Sequence, residues 1–236
     1  LPVVLSVPEW VVKVTHQDAA GNVKTDTIQM SLDSDPGLND VVSLSTAAIG
    51  PGEIIAPTTG PRGFDTLDLS GQALVGALDL NLAEVTIADN NGGTTTYTLG
   101  DGFDQFIVDN GGAGGVLVFG RSDADEMLTV AAGGNYIDLG NRTGDEDPAP
   151  ATSENDVVDY GTLQQGLTVD LSAVNADGEV HVTFAAVPGH SLASDTLVNV
   201  EGIFGGHGGD VISGDGRDNL LSGNQGDDTL SGGGGN

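Results

Sequence analysis

The sequence predicts an all-β protein in which β-rich blocks, stacked like a β-helix or a sandwich, precede a repetitive C-terminal segment. Three observations carry this. Short β-branched runs recur along the 236 residues, no stretch of ten or more shows helical periodicity with caps, and glycine is frequent at 38 residues. Leu, Ile, Val and Phe number 63 of 236, about 27%, above the ~20% below which a highly charged chain stays disordered.

Taken in order, Trp10–Thr15 and Thr25–Leu32 flank Asp18-Ala19-Ala20-Gly21-Asn22 and read as a hairpin within an N-terminal β module, 1–46. Residues 47–63 hold three prolines and four glycines and read as a linker. A first β block with degenerate repeats, 64–142, includes Val116–Phe119. An acidic loop or linker, 143–155, contains Asp145-Glu146-Asp147-Pro148. A second block, 156–204, includes Leu167–Leu171 and Val180–Phe184, and the repetitive segment runs over 205–236. Trp10 and the Phe residues are expected in the core. The blocks read as a duplication: Asp65–Leu69 matches Asp156–Tyr160, and Asp104–Val108 matches Asp195–Asn199, both 91 apart, with Leu78–Leu82 and Leu167–Leu171 nearly in step.

Charge narrows the partners. With 35 acids against 6 bases the net charge is −29, which disfavours nucleic acid and anionic membrane surfaces, since both reward Lys and Arg. No apolar run is long enough to span a bilayer. There is no cysteine, hence no disulfide and no Cys-ligated zinc. The chain begins at Leu1 with no basic-then-apolar leader and is expected to be a processed product or a piece of a longer protein.

The end of the chain carries the sharpest pattern. Gly205, Gly214, Gly223 and Gly232 are nine apart, as are Asp210, Asn219 and Asp228, and Ile212, Leu221 and Leu230, each of the last three followed by serine. A hard dication such as Ca2+ takes six to eight oxygens, many from backbone carbonyls. Carbonyls converge where the chain turns tightly, which glycine permits without steric cost. The apolar residue two positions after the acid then points inward from a short strand. Two nonapeptides make one coil of a parallel β-roll, so Asp210 and Asp228 are expected on one edge. Glu201 and Asn219 are expected on the other, whose next rung needs an acid at position 237. The ligand set expected for calcium is Glu201, Gly206, Gly208, Asp210, Asp215, Asn219, Gly223, Gln225 and Asp228. Asp123 and Asp125 with Asn135 could form a degenerate calcium turn. Residues 143–236 hold 16 acids and one base, Arg217, so self-repulsion should keep the roll open without metal.

This glycine/aspartate nonapeptide resembles the calcium-binding repeat of secreted bacterial RTX proteins. The likeness extends to the lead-in Asp195-Thr196-Leu197-Val198-Asn199-Val200-Glu201 and to Asp156-Val157-Val158-Asp159-Tyr160. It implies calcium binding, a right-handed parallel β-roll, and type I secretion to the exterior or cell surface. Asn219 in place of Asp, and Asp215 and Arg217 in place of glycines, depart from the pattern and put full occupancy of that edge in question.

Catalytic motifs are missing. The four histidines (His16, His181, His190, His207) offer no His-Glu-x-x-His pair. Gly189-His190-Ser191-Leu192-Ala193 misses the lipase elbow, which needs a strand before it and a helix after it, whereas Asp195 to Glu201 is extended and glycine-rich turns follow. His207 reads as a surface residue. The expectation is therefore no enzyme, but a calcium-binding extracellular structural module of a surface layer, adhesin or filament. It would self-associate through roll ends or calcium bridges. The alternative is a non-catalytic RTX region of a larger type I-secreted enzyme (a protease, a lipase or a polysaccharide-modifying enzyme).

Overall fold

The computed structural model describes strands 10–17, 23–30, 41–43 and 54–55 by their backbone, and residues 64–88, 92–100, 103–109, 115–121, 125–131, 133–140, 155–186 and 192–235. The acidic loop 143–155, except Asn155, and the side chain of Trp10 lie outside the described residues. The fold is all-β, with no helix among the described residues. In chain order the strands are β1 (Trp10–Gln17), β2 (Val23–Met30), β3 (Val41–Ser43), β4 (Ile54–Ile55), β5 (Thr66–Ser70), β6 (Ala77–Asp79) and β7 (Glu84–Ala88). Next come β8 (Thr94–Leu99), β9 (Gln105–Asp109), β10 (Leu117–Phe119), β11 (Met127–Val130), β12 (Tyr136–Asp138) and β13 (Val157–Asp159). The last are β14 (Leu167–Asp170), β15 (Val180–Phe184), β16 (Asp195–Val198), β17 (Gly202–Phe204), β18 (Val211–Ser213), β19 (Leu220–Ser222) and β20 (Thr229–Ser231).

β1 and β2 pair antiparallel as the hairpin that their flanking apolar runs predict. The remaining strands form two sheets, ordered β19-β17-β13-β11-β9-β5-β3 and β20-β18-β14-β15-β16-β12-β10-β6-β7-β8-β4. From β9 to β13 the chain visits the sheets alternately, and each strand pairs in parallel with strands of neighbouring coils. Strands three to five residues long suffice, because each contributes one or two inward side chains. Burial alternates along them, as in β9 and β14.

The inward residues stack by register into columns. In the seven-stranded sheet Leu67, Phe106, Leu128, Val158, Ile203 and Leu221 lie in successive register, the first five buried. In the other sheet Leu78, Val118, Ile137 and Leu197 form a buried column, and Val169, Ile212 and Leu230 line up in a second. Burying each such side chain contributes about 1.5–3 kcal/mol. The contribution fades at the last rung, where Leu230 is 47% exposed. The Phe residues divide: Phe103 and Phe106 are core, Phe119, Phe184 and Phe204 are half-buried, and Phe64 is 40% exposed. The expectation that all of them are core fails for Phe64. It precedes β5 at an odd spacing from Leu67, which places it on the outward parity of the strand.

The internal duplication is visible in the topology. The pairing β4-β8-β7-β6-β10-β12 recurs as β12-β16-β15-β14-β18-β20, and β3-β5-β9-β11 recurs as β11-β13-β17-β19. Turn bonds repeat with it. The Asp65 carbonyl accepts from the amides of Asp104 and Gln105, and the Asp156 carbonyl from those of Glu201 and Gly202. Asp104 therefore corresponds to Glu201, not to Asp195 as the 91-residue spacing suggests. The antiparallel excursion β14-β15-β16 is longer than β6-β7-β8, and the added turn residues shift the register. The parallel ladders run from residues 64–142 into 156–204, and β4 lies within 47–63.

Candidate metal edges of the C-terminal coils

Each coil leaves one problem at the start of its strands: the amide just before a short parallel strand has no ladder partner. An acid or Asn at the corresponding position one coil later answers it. Asp65 N–H donates to Asp104 Oδ2 (2.8 Å), Glu126 N–H to Asp156 Oδ1 (2.8 Å) and Asn135 N–H to Asp195 Oδ1 (2.8 Å). Val116 N–H donates to Asn135 Oδ1 (2.9 Å), Leu167 N–H to Asp210 Oδ1 (2.8 Å) and Asp210 N–H to Asp228 Oδ1 (2.9 Å). The bonds to carboxylates in this series are charge-assisted and contribute about 1.5–3 kcal/mol each, and the neutral bond to Asn135 about 0.5–1.5 kcal/mol.

The nine expected calcium ligands divide into two groups on different turns. The turns after β13, β17 and β19 stack on one edge. There Asp210 Oδ2 accepts from Gly206 N–H (2.9 Å), the Gly206 carbonyl accepts from Gln225 N–H (3.1 Å), and Asp210 stacks on Asp228. A Cβ on Gly223 would collide with Asp228 Oδ2, and one on Gly208 with the Gly166 nitrogen. Gly206, Gly208, Asp210, Gly223, Gln225 and Asp228 thus share this edge. Gly226, at φ +122°, leaves no room for a side chain against the Gly208 carbonyl.

Glu201, Asp215 and Asn219 belong to the opposite edge. Asn219 Oδ1 accepts from Asp215 N–H (2.9 Å), and its Nδ2 donates to the Glu201 carbonyl (3.3 Å). Arg217 bridges the two acids, donating from Nη1 to Glu201 Oε1 (2.6 Å) and from Nε to Asp215 Oδ2 (2.8 Å). His207 is exposed, beside Gln164.

Electrostatics separates the edges. Burial raises the Asp210 carboxyl above its ordinary value despite amides from Leu167 and Gly206, and the Asp228 charge adds to the rise. Burial also works to raise Asp215, but the Arg217 amide and guanidinium outweigh it and hold that carboxyl below its ordinary value. At the first edge the donors suit a hard dication in type, being carboxylate and carbonyl oxygens in glycine turns held too close for a side chain. Among the described residues no three His, Cys, Asp or Glu side chains cluster as metal ligands, so carbonyls would have to supply much of the shell.

Nothing in the sequence marks Asp104, Asp156 and Asp195 as acceptors for amides of the preceding coil, because their spacings from Asp65, Glu126 and Asn135 are irregular. Asp123 and the elbow-like Gly189-His190-Ser191 lie outside the described residues. Asp125 accepts from Asn155 N–H (3.0 Å), while Asn135 is engaged by Val116 and Asp195. No family model matches the chain, and no curated protein matches it.

Proposed function

We propose that this chain is a calcium-binding extracellular structural module of RTX type, exported by a type I route. Its last coils form a right-handed parallel β-roll, and calcium completes the edge lined by Asp210 and Asp228. The observation that carries the reading is the stacking of those acids 18 residues apart, Asp210 N–H on Asp228 Oδ1, over glycine turns that admit no side chain. Gly206, Gly208, Gly223, Gln225 and the two carboxylates would hold the ion. When bound, calcium supplies the positive charge that the acidic coils lack and draws successive turns together. The protein's own part is to pre-position that edge: the Leu167 and Gly206 amides fix the Asp210 carboxylate, and Ile212 anchors the strand that follows.

The net charge of −29 supports assembly through calcium. Like chains repel at long range, and bridging cations let their surfaces meet. A surface layer, adhesin or filament is the setting such a module suits. Calorimetric calcium titration of the whole chain, with limited proteolysis, tests the reading. Binding that protects residues 205–235 supports it; no binding up to ~10 mM, beyond the weakest extracellular calcium modules, contradicts it.

A further inference from the structure

The second edge is built differently, and the duplication shows that the difference is systematic. The turn between β10 and β11 corresponds by topology to the turn between β18 and β19. The first carries Arg121 and the second Arg217. Arg121 Nε lies 2.8 Å from Glu126 Oε1, its amide donates to the same carboxylate, and the Glu126 side chain is 1% exposed. Arg217 joins Glu201 of the preceding coil to Asp215 of its own turn at 2.6 and 2.8 Å. In the nine-residue register position 217 belongs to Gly208 and Gly226, so a cationic side chain stands where the other repeats have no side chain at all. The base is unexpected on composition, since it is the single Lys or Arg among 94 residues, 143–236, that hold 16 acids. A guanidinium presents a fixed fork of donors that spans two carboxylates, which suits it to stand in for a metal.

We propose that Arg121 and Arg217 are resident cations of this edge, and that they confine calcium to the Asp210/Asp228 edge. The proposal rests on the calcium reading above, and it removes Glu201, Asp215 and Asn219 from the ligand set. Arg217 acts as a tether between successive coils, permanently charged and independent of calcium supply. The two edges then respond differently to chelation: one opens, while the other keeps its clamp for as long as its strands stay paired.

The test compares the wild-type chain with Arg217→Gly, Arg217→Lys, Asp228→Asn and the double variant Glu201→Gln/Asp215→Asn. Calcium stoichiometry is read by calorimetry, and exchange of the Arg217 Nε–H with water by NMR at saturating calcium. Removing the acids of the second edge is expected to leave the ion count unchanged, whereas Asp228→Asn lowers it by at least one. Arg217→Gly is expected to gain one ion, and Arg217→Lys none. The Nε–H of the wild type is expected to exchange at least tenfold more slowly than in the double variant. Loss of a bound ion in Glu201→Gln/Asp215→Asn, or a wild-type Nε–H as fast as in that variant, overturns the proposal. If no protein binds calcium, the functional reading fails by itself. The Nε–H comparison still decides for the resident cation when exchange is slow, and against it when exchange is fast.

Discussion

Residue by residue, several of the described acids are acceptors for orphan amides, and the most enclosed of them shows what that costs. Asp195 is fully buried and accepts from the Asn135 amide and side chain and from the Tyr160 hydroxyl (3.0 Å). Burial raises its carboxyl above the ordinary value even against those three bonds. Burial first, then the charge and hydrogen bond of Asp195, push the Tyr160 hydroxyl far above its ordinary value, so it remains a donor. Tyr160→Phe is expected to destabilise the chain by about 1–3 kcal/mol, because a buried carboxylate oxygen loses a donor; urea unfolding with wild type and variant side by side measures it. The pH dependence follows in sign. A folded-state value above the unfolded one means that the native state holds the proton longer. This contribution is full below the unfolded carboxylate value, near ~3.9, and is lost as pH rises through the raised folded value. Asp195→Asn is expected to flatten the fall in stability over that window. A variant whose unfolding free energy declines as steeply as the wild type's contradicts the assignment.

Strand by strand, each element is too short to be stable alone, and the stacked columns do the holding. Ile203 sits buried between Val158 and Leu221. Ile203→Ala is expected to cost about 2–5 kcal/mol, whereas Leu230→Ala, at a half-exposed rung, should cost under half as much; paired melts compare them. Chelation is expected to open residues 205–235 before 64–140. The later coils have the thinner columns, and Leu220, Leu221 and Leu230 are at best half-buried. Limited proteolysis in EGTA, with fragments identified by mass, checks the order. How much of this the sequence discloses depends on turn length. From Glu201 onward the turns are constant, so the nine-residue register alone puts Asp210 over Asp228 and Glu201 beside Asn219. Between Asp65 and Asp195 the paired positions of neighbouring coils, acids apart from Asn135, are 39, 30 or 60 residues apart. Loops of unequal length hide the shared rung. The antiparallel strands β7 and β15 add to this by reversing direction inside an otherwise parallel sheet, which is why spacing pairs Asp104 with Asp195 and topology does not. The glycines that crowd the turns are legible, but the Arg217 bridge is not, since register alone does not say which carboxylates a long side chain reaches.

For the whole molecule, the sequence carries 35 acids against 6 bases, and the internal neutralisation visible at Arg121 and Arg217 covers only a small part of that charge. The remainder has to be screened or bridged from outside. Light scattering across a calcium titration is expected to show the mass rising above that of a monomer and returning on addition of EGTA. Mass that stays monomeric to ~10 mM calcium contradicts assembly through the ion. Assembly, however, depends on a narrower point, that calcium completes the edge carrying Asp210 and Asp228. Anomalous diffraction from crystals grown with calcium decides that point. Density is expected beside Asp210 and Asp228, with oxygen distances of about 2.3–2.6 Å and carbonyls of the glycine turns in the shell. A calcium-replete crystal with no ion at that edge, or with the ion only between Glu201 and Asp215, would refute it.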